Sequence, residues 1–160
     1  MECDLPEPHQ IEPPYSDASG IEREFVARTD EKLQLCAAME EIADALPANV
    51  DRVACLNVAN TLVPMIRSIH DYEERVVFRL FQAALPNAEA AESIQRLRAE
   101  HVEDECSADE ITEVLMGIGH GRKIENPEAL GYMLRAFFDT TRRHIAFERE
   151  HILPVIRPER

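Results

Sequence analysis

Apolar residues recur at three- and four-residue steps through most of this chain, which is the period of amphipathic helices. The first such stretch runs from about Ser16 to Leu46 and stops before Pro47. Its stripe consists of Ile21, Phe25, Lys32, Leu35, Cys36, Met39, Ile42, Ala43 and Leu46. This pattern predicts a long helix with one face turned toward a core.

A second stretch repeats the helical pattern and carries polar residues on its stripe. It runs from a cap at Asn49 to about Leu85, and Pro64 inside it predicts a kink or a break. The stripe reads Ile66, His70, Glu74, Val77 and Phe81.

The third and fourth stretches have clear start and stop signals. Asn87 caps the third, closely spaced glycines end it, and Asn126 followed by proline opens the fourth. Their stripes are Ile94, Leu97, His101, Glu105, Ala108, Ile111, Leu115 and Ile118, and then Leu130, Met133, Phe137, Thr141, His144, Glu148 and Ile152. No segment shows sustained strand alternation. Four long helices with mostly short connections predict an all-α, antiparallel up-down-up-down four-helix bundle.

The bundle is expected to form one domain over residues 17–160. The chain has 160 residues and is 45% hydrophobic, which is enough for a single domain with a sizeable core. Residues 1–16 contain four prolines and predict an extended or disordered lead segment.

Charge and cysteine usage narrow the classes of partner and the compartment. The chain has 17 basic and 31 acidic residues and a formal net charge of −14, which argues against nucleic acid and against anionic membrane surfaces. No apolar run approaches the roughly 20 residues of a membrane-spanning helix. Four scattered cysteines in a chain without an export signal predict reduced thiols and a cytoplasmic location.

Half of the six histidines have a glutamate four residues later, on the same helix face. The pairs are His70 with Glu74, His101 with Glu105, and His144 with Glu148. All six residues lie on the inward stripes, where a carboxylate or imidazole is costly unless it is paired or bound to metal.

Counting from the connections places these histidines at one level of the bundle. His70 lies about 15 residues before the turn near Leu85 and His101 about 14 residues after Asn87, so that each is roughly 22 Å from that end. His101 and His144 lie at similar distances from the next connection. Imidazoles and carboxylates gathered inside a bundle are typical of a dinuclear metal site.

The first helix offers no comparable ligand at this level. The same count reaches Phe25 and Thr29, neither of which is a good metal ligand, and Cys36 is some 10 Å away along the axis. Asp71 and Glu73 flank the pair on the second helix and are interpreted as solvated or supporting groups.

These segments resemble the hemerythrin-like (HHE) family, bacterial type, of non-haem di-iron four-helix bundles. The residues that carry the resemblance, over roughly residues 21–157, are His70-Asp71-Tyr72-Glu73-Glu74, His101-Val102-Glu103-Asp104-Glu105 and His144-Ile145-Ala146-Phe147-Glu148.

The resemblance implies a metal centre and its ligands. It implies that His70, His101 and His144 bind iron, with Glu74 and Glu148 as bridges between two ions. Glu105 would stand where oxygen carriers of the family have a second histidine, and Thr29 where the family has a first-helix histidine. The cofactor implied is two iron ions, Fe²⁺ or Fe³⁺, with an oxo or hydroxo bridge, and manganese or zinc can use the same ligands.

Three functions are consistent with these residues. The leading one is a cytoplasmic di-iron protein that binds or handles O₂, NO or peroxide, in sensing, scavenging or iron storage. The second is a metal-dependent enzyme acting on peroxide or NO. The third is a metal-free structural or partner-binding bundle that has lost the first-helix ligand.

Overall fold

The computed structural model describes residues 18–157, which form helices joined by short connections. The first half contains α1 (Ala18–Asp44), α2 (Arg52–Tyr72), a π-helical turn (Glu73–Val77) and α3 (Phe78–Ala84). The second half contains α4 (Ala88–Gly119), α5 (Pro127–Phe147), a second π-helical turn (Glu148–Ile152) and α6 (Leu153–Ile156). The π turns join α2 to α3 and α5 to α6, so the chain forms four rods as predicted. The predicted lead segment at residues 1–16 lies outside the described residues.

The second, third and fourth rods begin at side-chain caps, two of which were predicted. Asn87 Oδ1 accepts a hydrogen bond from the Ala90 amide at 2.8 Å, and Asn126 Oδ1 accepts one from the Ala129 amide at 2.9 Å. The predicted cap at Asn49 is wrong, because Asp51 starts the second rod and its carboxylate accepts from the Val53 amide at 2.8 Å. A carboxylate at this position also interacts favourably with the positive end of the helix dipole.

Of the kink or break predicted at Pro64, the break does not occur. Helix α2 runs without interruption from Arg52 to Tyr72, and Pro64 lies on its exposed face. On that face solvent can bind the carbonyl that loses its amide partner, so the proline is tolerated.

Two apolar clusters fill the interior, one toward each end of the rods. The first includes Met39, Leu62, Ile111, Leu115, Leu134 and Phe138, and the second includes Phe25, Val77, Phe78, Phe81, Leu97 and Ile152. Between them along every rod lies a layer of buried polar residues. Burial of the apolar side chains supplies most of the folding free energy, so the polar layer is held in place from both sides.

Ion pairs connect α1 to the fourth rod in opposite residue order. They are Asp44 with Arg135 at 2.8 Å, Glu40 with Arg142 at 2.6 Å and Asp30 with Arg149 at 2.8 Å. Among residues 18–157, no helix combines the length and the apolar character needed to cross a bilayer.

Candidate metal centre

Three buried imidazoles form one side of the polar layer. His70 comes from α2, His101 from α4 and His144 from α5. The ring centroids of His70 and His101 are 3.8 Å apart, and those of His101 and His144 are 5.0 Å apart. The structure therefore places the three histidines at one level, where counting from the connections put them.

Each imidazole has a carboxylate next to its Nδ1 atom, which we call the outer nitrogen; Nε2 is the inner nitrogen. The Nδ1 atoms of His70, His101 and His144 lie 3.2, 2.8 and 3.0 Å from oxygens of Glu105, Glu74 and Glu100, respectively. Such a partner favours the tautomer with the proton on Nδ1, which leaves the Nε2 lone pair free. Histidines that bind metal ions in proteins commonly have a carboxylate or carbonyl in this place.

Two fully buried carboxylates face the inner nitrogens. Glu73 is 1% exposed, and its Oε2 lies 3.1 Å from His101 Nε2. Glu148 is inaccessible to solvent, and its Oε1 lies 3.5 Å from His144 Nε2. Glu73 was interpreted as a solvated or supporting group, and its burial contradicts the first of these two alternatives.

Both inner glutamates begin a π-helical turn. The Phe78 amide donates to the carbonyl of Glu73, and the Leu153 amide donates to the carbonyl of Glu148, each five residues back. A π turn contains one residue more than an α-helical turn, so the buried positions that follow it are shifted by one residue along the sequence. Glu73 and Val77 are accordingly buried before the shift and Phe78 and Phe81 after it. Such turns are frequently found at functional sites.

A lysine from α1 completes the layer opposite the imidazoles. The Lys32 side chain is 2% exposed, and its ammonium lies 2.6 Å from Glu73 Oε1. Burial lowers the pKa of Lys32, but the charges of Glu73 and Glu148 outweigh burial and raise it overall. Burial also raises the pKa of the Glu73 carboxyl, and here Lys32 and His101 reverse the effect and lower it.

Two of the imidazoles differ strongly in proton affinity. Burial, together with the neighbouring His101 and Lys32, lowers the pKa of His70 to about 2, so that His70 is neutral at any physiological pH. Burial also lowers the pKa of His144, but hydrogen bonds to Glu100 and Glu148 outweigh it and raise that pKa to about 9. A metal ion at His144 must therefore displace a proton, whereas His70 already presents a free lone pair.

The inner atoms form two groups with the spacing of metal ligands. One group is His70, Glu73 and His101, the other is Glu73, His144 and Glu148, and within each group the ligand atoms lie within 4.8 Å of one another. Glu73 Oε1 and Oε2 contact Lys32 and His101, and Glu148 Oε1 contacts His144, whereas Glu148 Oε2 has no hydrogen-bond partner within residues 18–157. A buried carboxylate oxygen without a partner is costly, so these residues suit a bound cation.

The remaining residues of the sequence-based assignment lie outside both groups. Glu74 contacts the outer nitrogen of His101, and Glu105 contacts the outer nitrogen of His70. Each of these two glutamates therefore pairs with a histidine of a neighbouring rod and not with the histidine four residues before it in the sequence. Thr29 is buried, donates to the carbonyl of Val26 and accepts from Arg149. Cys36 is buried next to the carbonyl of Phe138, and burial raises its pKa to about 11, which disfavours the thiolate.

Asp104 is a further buried acid in this layer, on α4 one turn beyond His101. It is 7% exposed, and burial raises the pKa of its carboxyl to about 6, against the opposing charges of His144, Lys32 and His101 and with a small contribution from Glu100. Because the folded-state pKa of Asp104 exceeds its unfolded-state value, the contribution of Asp104 to stability is most favourable at low pH and is lost as pH rises through about 6.

We expect Asp104→Asn to stabilise the chelator-treated protein at pH 7.5 by about 1–3 kcal/mol, because it removes a desolvated charge. The gain should shrink toward zero at pH 4, where Asp104 is protonated in the folded protein. Urea unfolding at the two pH values measures both effects. Glu103→Gln, at an exposed position of the same helix, is the control and should change little. A loss of stability at pH 7.5 would show that Asp104 is stabilised by its neighbours rather than strained by burial.

The fold and the site together define a class: a helical bundle with a buried histidine–carboxylate layer built to hold cations. A family model for the hemerythrin HHE cation-binding domain matches residues 28–156. The chain therefore belongs to the hemerythrin HHE family, as its resemblance implied. No curated protein and no solved structure matches it significantly.

Proposed function

We propose that this chain is a cytoplasmic non-haem iron protein that binds or handles O₂, NO or peroxide, for sensing, scavenging or iron storage. The observation that carries the proposal is Glu73, a buried carboxylate common to both ligand groups. Its two oxygens lie 2.6 Å from the Lys32 ammonium and 3.1 Å from His101 Nε2, so the carboxylate is held inside the layer. A cation bound in either group would include this carboxylate among its ligands.

The proposed ligands are the inner residues of the layer: His70, Glu73, His101, His144 and Glu148. In this proposal Glu74 and Glu105, which the resemblance implied as ligands, orient His101 and His70 instead. Mixed imidazole and carboxylate ligands suit iron, and also manganese or zinc. A bound iron ion would supply a redox-active position for a small ligand.

The bundle topology belongs to the same proposal. We place the four rods in an antiparallel up-down-up-down arrangement, supported by the opposite residue order of the ion pairs between α1 and the fourth rod. The free thiols of Cys36, Cys55 and Cys106 are compatible with a reducing compartment.

A cleft between α4 and α5, lined by His144, offers a place for a small ligand beside the proposed centre. It has a volume of about 370 Å³ and is lined by residues including Arg96, Arg143, Phe147 and His144. Glu100 also lines it and contacts the outer nitrogen of His144. The cleft is large enough for a diatomic molecule or peroxide, which fits the proposed ligand class.

Anaerobic protein loaded with ferrous iron tests the function directly. O₂, NO and hydrogen peroxide are added separately, and the visible spectrum and the amount of reactant consumed are recorded. We expect at least one of them to change the spectrum in proportion to bound iron, and Glu73→Gln treated identically to give no change.

The amount consumed distinguishes the alternatives. Consumption equal to bound iron supports a sensor or store, and continued turnover of peroxide or NO with a reductant supports an enzyme. If no iron binds and none of the three molecules reacts, the proposal fails, and a structural or partner-binding bundle is the better account.

A further inference from the structure

The Lys32 side chain is a positively charged group inside the proposed metal centre. Its ammonium lies 2.6 Å from Glu73, the carboxylate that the two ligand groups share. The side chain is as buried as the glutamate it contacts. An ammonium has three donors and no acceptor, so it cannot serve as a metal ligand while it is charged.

The acids around Lys32 come from three different rods. Glu73 lies at the π turn after α2, Glu148 at the π turn after α5, and Asp104 on α4, and each attracts the ammonium. Glu73 and Glu148 are the two carboxylates of the group that includes His144. The ammonium therefore interacts with the same carboxylates that a cation in this second group would bind.

The position of the ammonium favours one divalent ion beside Lys32. Glu73 Oε1 already lies 2.6 Å from the Lys32 ammonium, and Glu73 Oε2 lies 3.1 Å from His101 Nε2. A divalent ion in the second group would share the Glu73 carboxylate with the ammonium, and like charges this close repel each other strongly in a buried layer.

We infer that Lys32 is a built-in cation that takes the place of one metal ion, so that the native centre holds a single ion at His70, Glu73 and His101. This inference rests on the proposed function and changes its stoichiometry. Two imidazoles and one carboxylate are the ligand set of mononuclear non-haem iron sites, with positions left open for exogenous ligands.

The test compares metal stoichiometry in Lys32→Met, Lys123→Met and the unmodified chain. Methionine keeps the length and apolar character of the lysine stem and removes the charge, while Lys123 is exposed in the connection before α5. Each protein is stripped with chelator, loaded anaerobically with ferrous iron, desalted and analysed for iron. We expect about one ion per chain in the unmodified protein and in Lys123→Met, and about two in Lys32→Met.

Further variants cover the case in which Lys32→Met does not fold. Lys32→Gln is also uncharged and should bind about two ions, whereas Lys32→Arg keeps the charge and should bind about one. Circular dichroism confirms the helical fold before each measurement.

The outcomes separate this inference from the proposed function. Two ions in the unmodified protein, or one ion in both it and a folded Lys32→Met, overturn the role of Lys32 while leaving iron binding intact. Iron absent from the unmodified protein and from every Lys32 variant overturns both. Iron in Lys32→Met alone overturns the single native ion, because Lys32 would then block both groups.

Discussion

Replacing Glu73 with glutamine is expected to abolish metal binding and to destabilise the protein by about 3–5 kcal/mol. Glutamine has the size of glutamate but no charge, so both ligand groups lose their common carboxylate. Lys32 would also remain charged and buried without its 2.6 Å partner. Elemental analysis after iron loading measures the first effect, and urea unfolding of the chelator-treated proteins measures the second.

Glu74→Gln is the matched control, because it makes the same chemical change one residue later. Glu74 is 38% exposed and contacts only the outer nitrogen of His101 among the three histidines. Loss of such a supporting carboxylate should weaken metal affinity about 10- to 100-fold without emptying the loaded site. If Glu74→Gln empties the site and Glu73→Gln does not, the ligand assignment implied by the resemblance is the better one.

Metal binding is expected to raise the melting temperature by about 8–16 °C when free metal exceeds the dissociation constant a thousandfold. The stripped protein keeps the Glu73 and Glu148 carboxylates buried, and an ion held by the folded layer but not by the unfolded chain stabilises the folded state. Calorimetry of the protein with ferrous iron and after chelation, both without oxygen, measures the shift.

A histidine outside the layer provides the control for this shift. His151→Ala removes a half-exposed imidazole from the second π turn and should leave the shift unchanged, whereas His101→Ala should abolish it. Equal melting temperatures with and without metal, under conditions where binding is demonstrated, would mean that the ion binds the unfolded chain as well as the folded one and is not held by the buried layer.

The helices and the level of the histidines could be predicted from the sequence because both depend on local periodicity. An α-helix rises a fixed distance per residue, so counting from the caps at Asn87 and Asn126 is enough to align His101 with His144. Family membership followed from the same segments, since their order and separation reflect that geometry.

The choice between Glu73 and Glu74 could not be made from the sequence. Residues three and four positions after His70 both lie near its face, and both are glutamates here. The π turn that begins at Glu73 then shifts the stripe, and no local residue signals it. Glu105 has the i, i+4 spacing from His101, but its carboxylate contacts His70 on the adjacent rod, which the spacing alone did not predict.

Lys32 was present on the predicted apolar stripe, and its charge was the signal that could have revealed the buried glutamate. A lysine on an inward face needs an acidic partner inside the core. Counting along α1 pointed to Thr29 because it compared backbone positions only and ignored how far each side chain extends. A helical side chain leans toward the N-terminus of its helix, and the long lysine stem reaches across about one turn.

Anomalous diffraction at the iron absorption edge, from crystals of the iron-loaded protein, tests the central claim most directly. The expected result is a single peak per chain inside the bundle, within bonding distance of His70, His101 and Glu73. A peak confined to the surface acids, or no peak in the histidine layer of a protein shown to contain iron, would contradict the proposed centre.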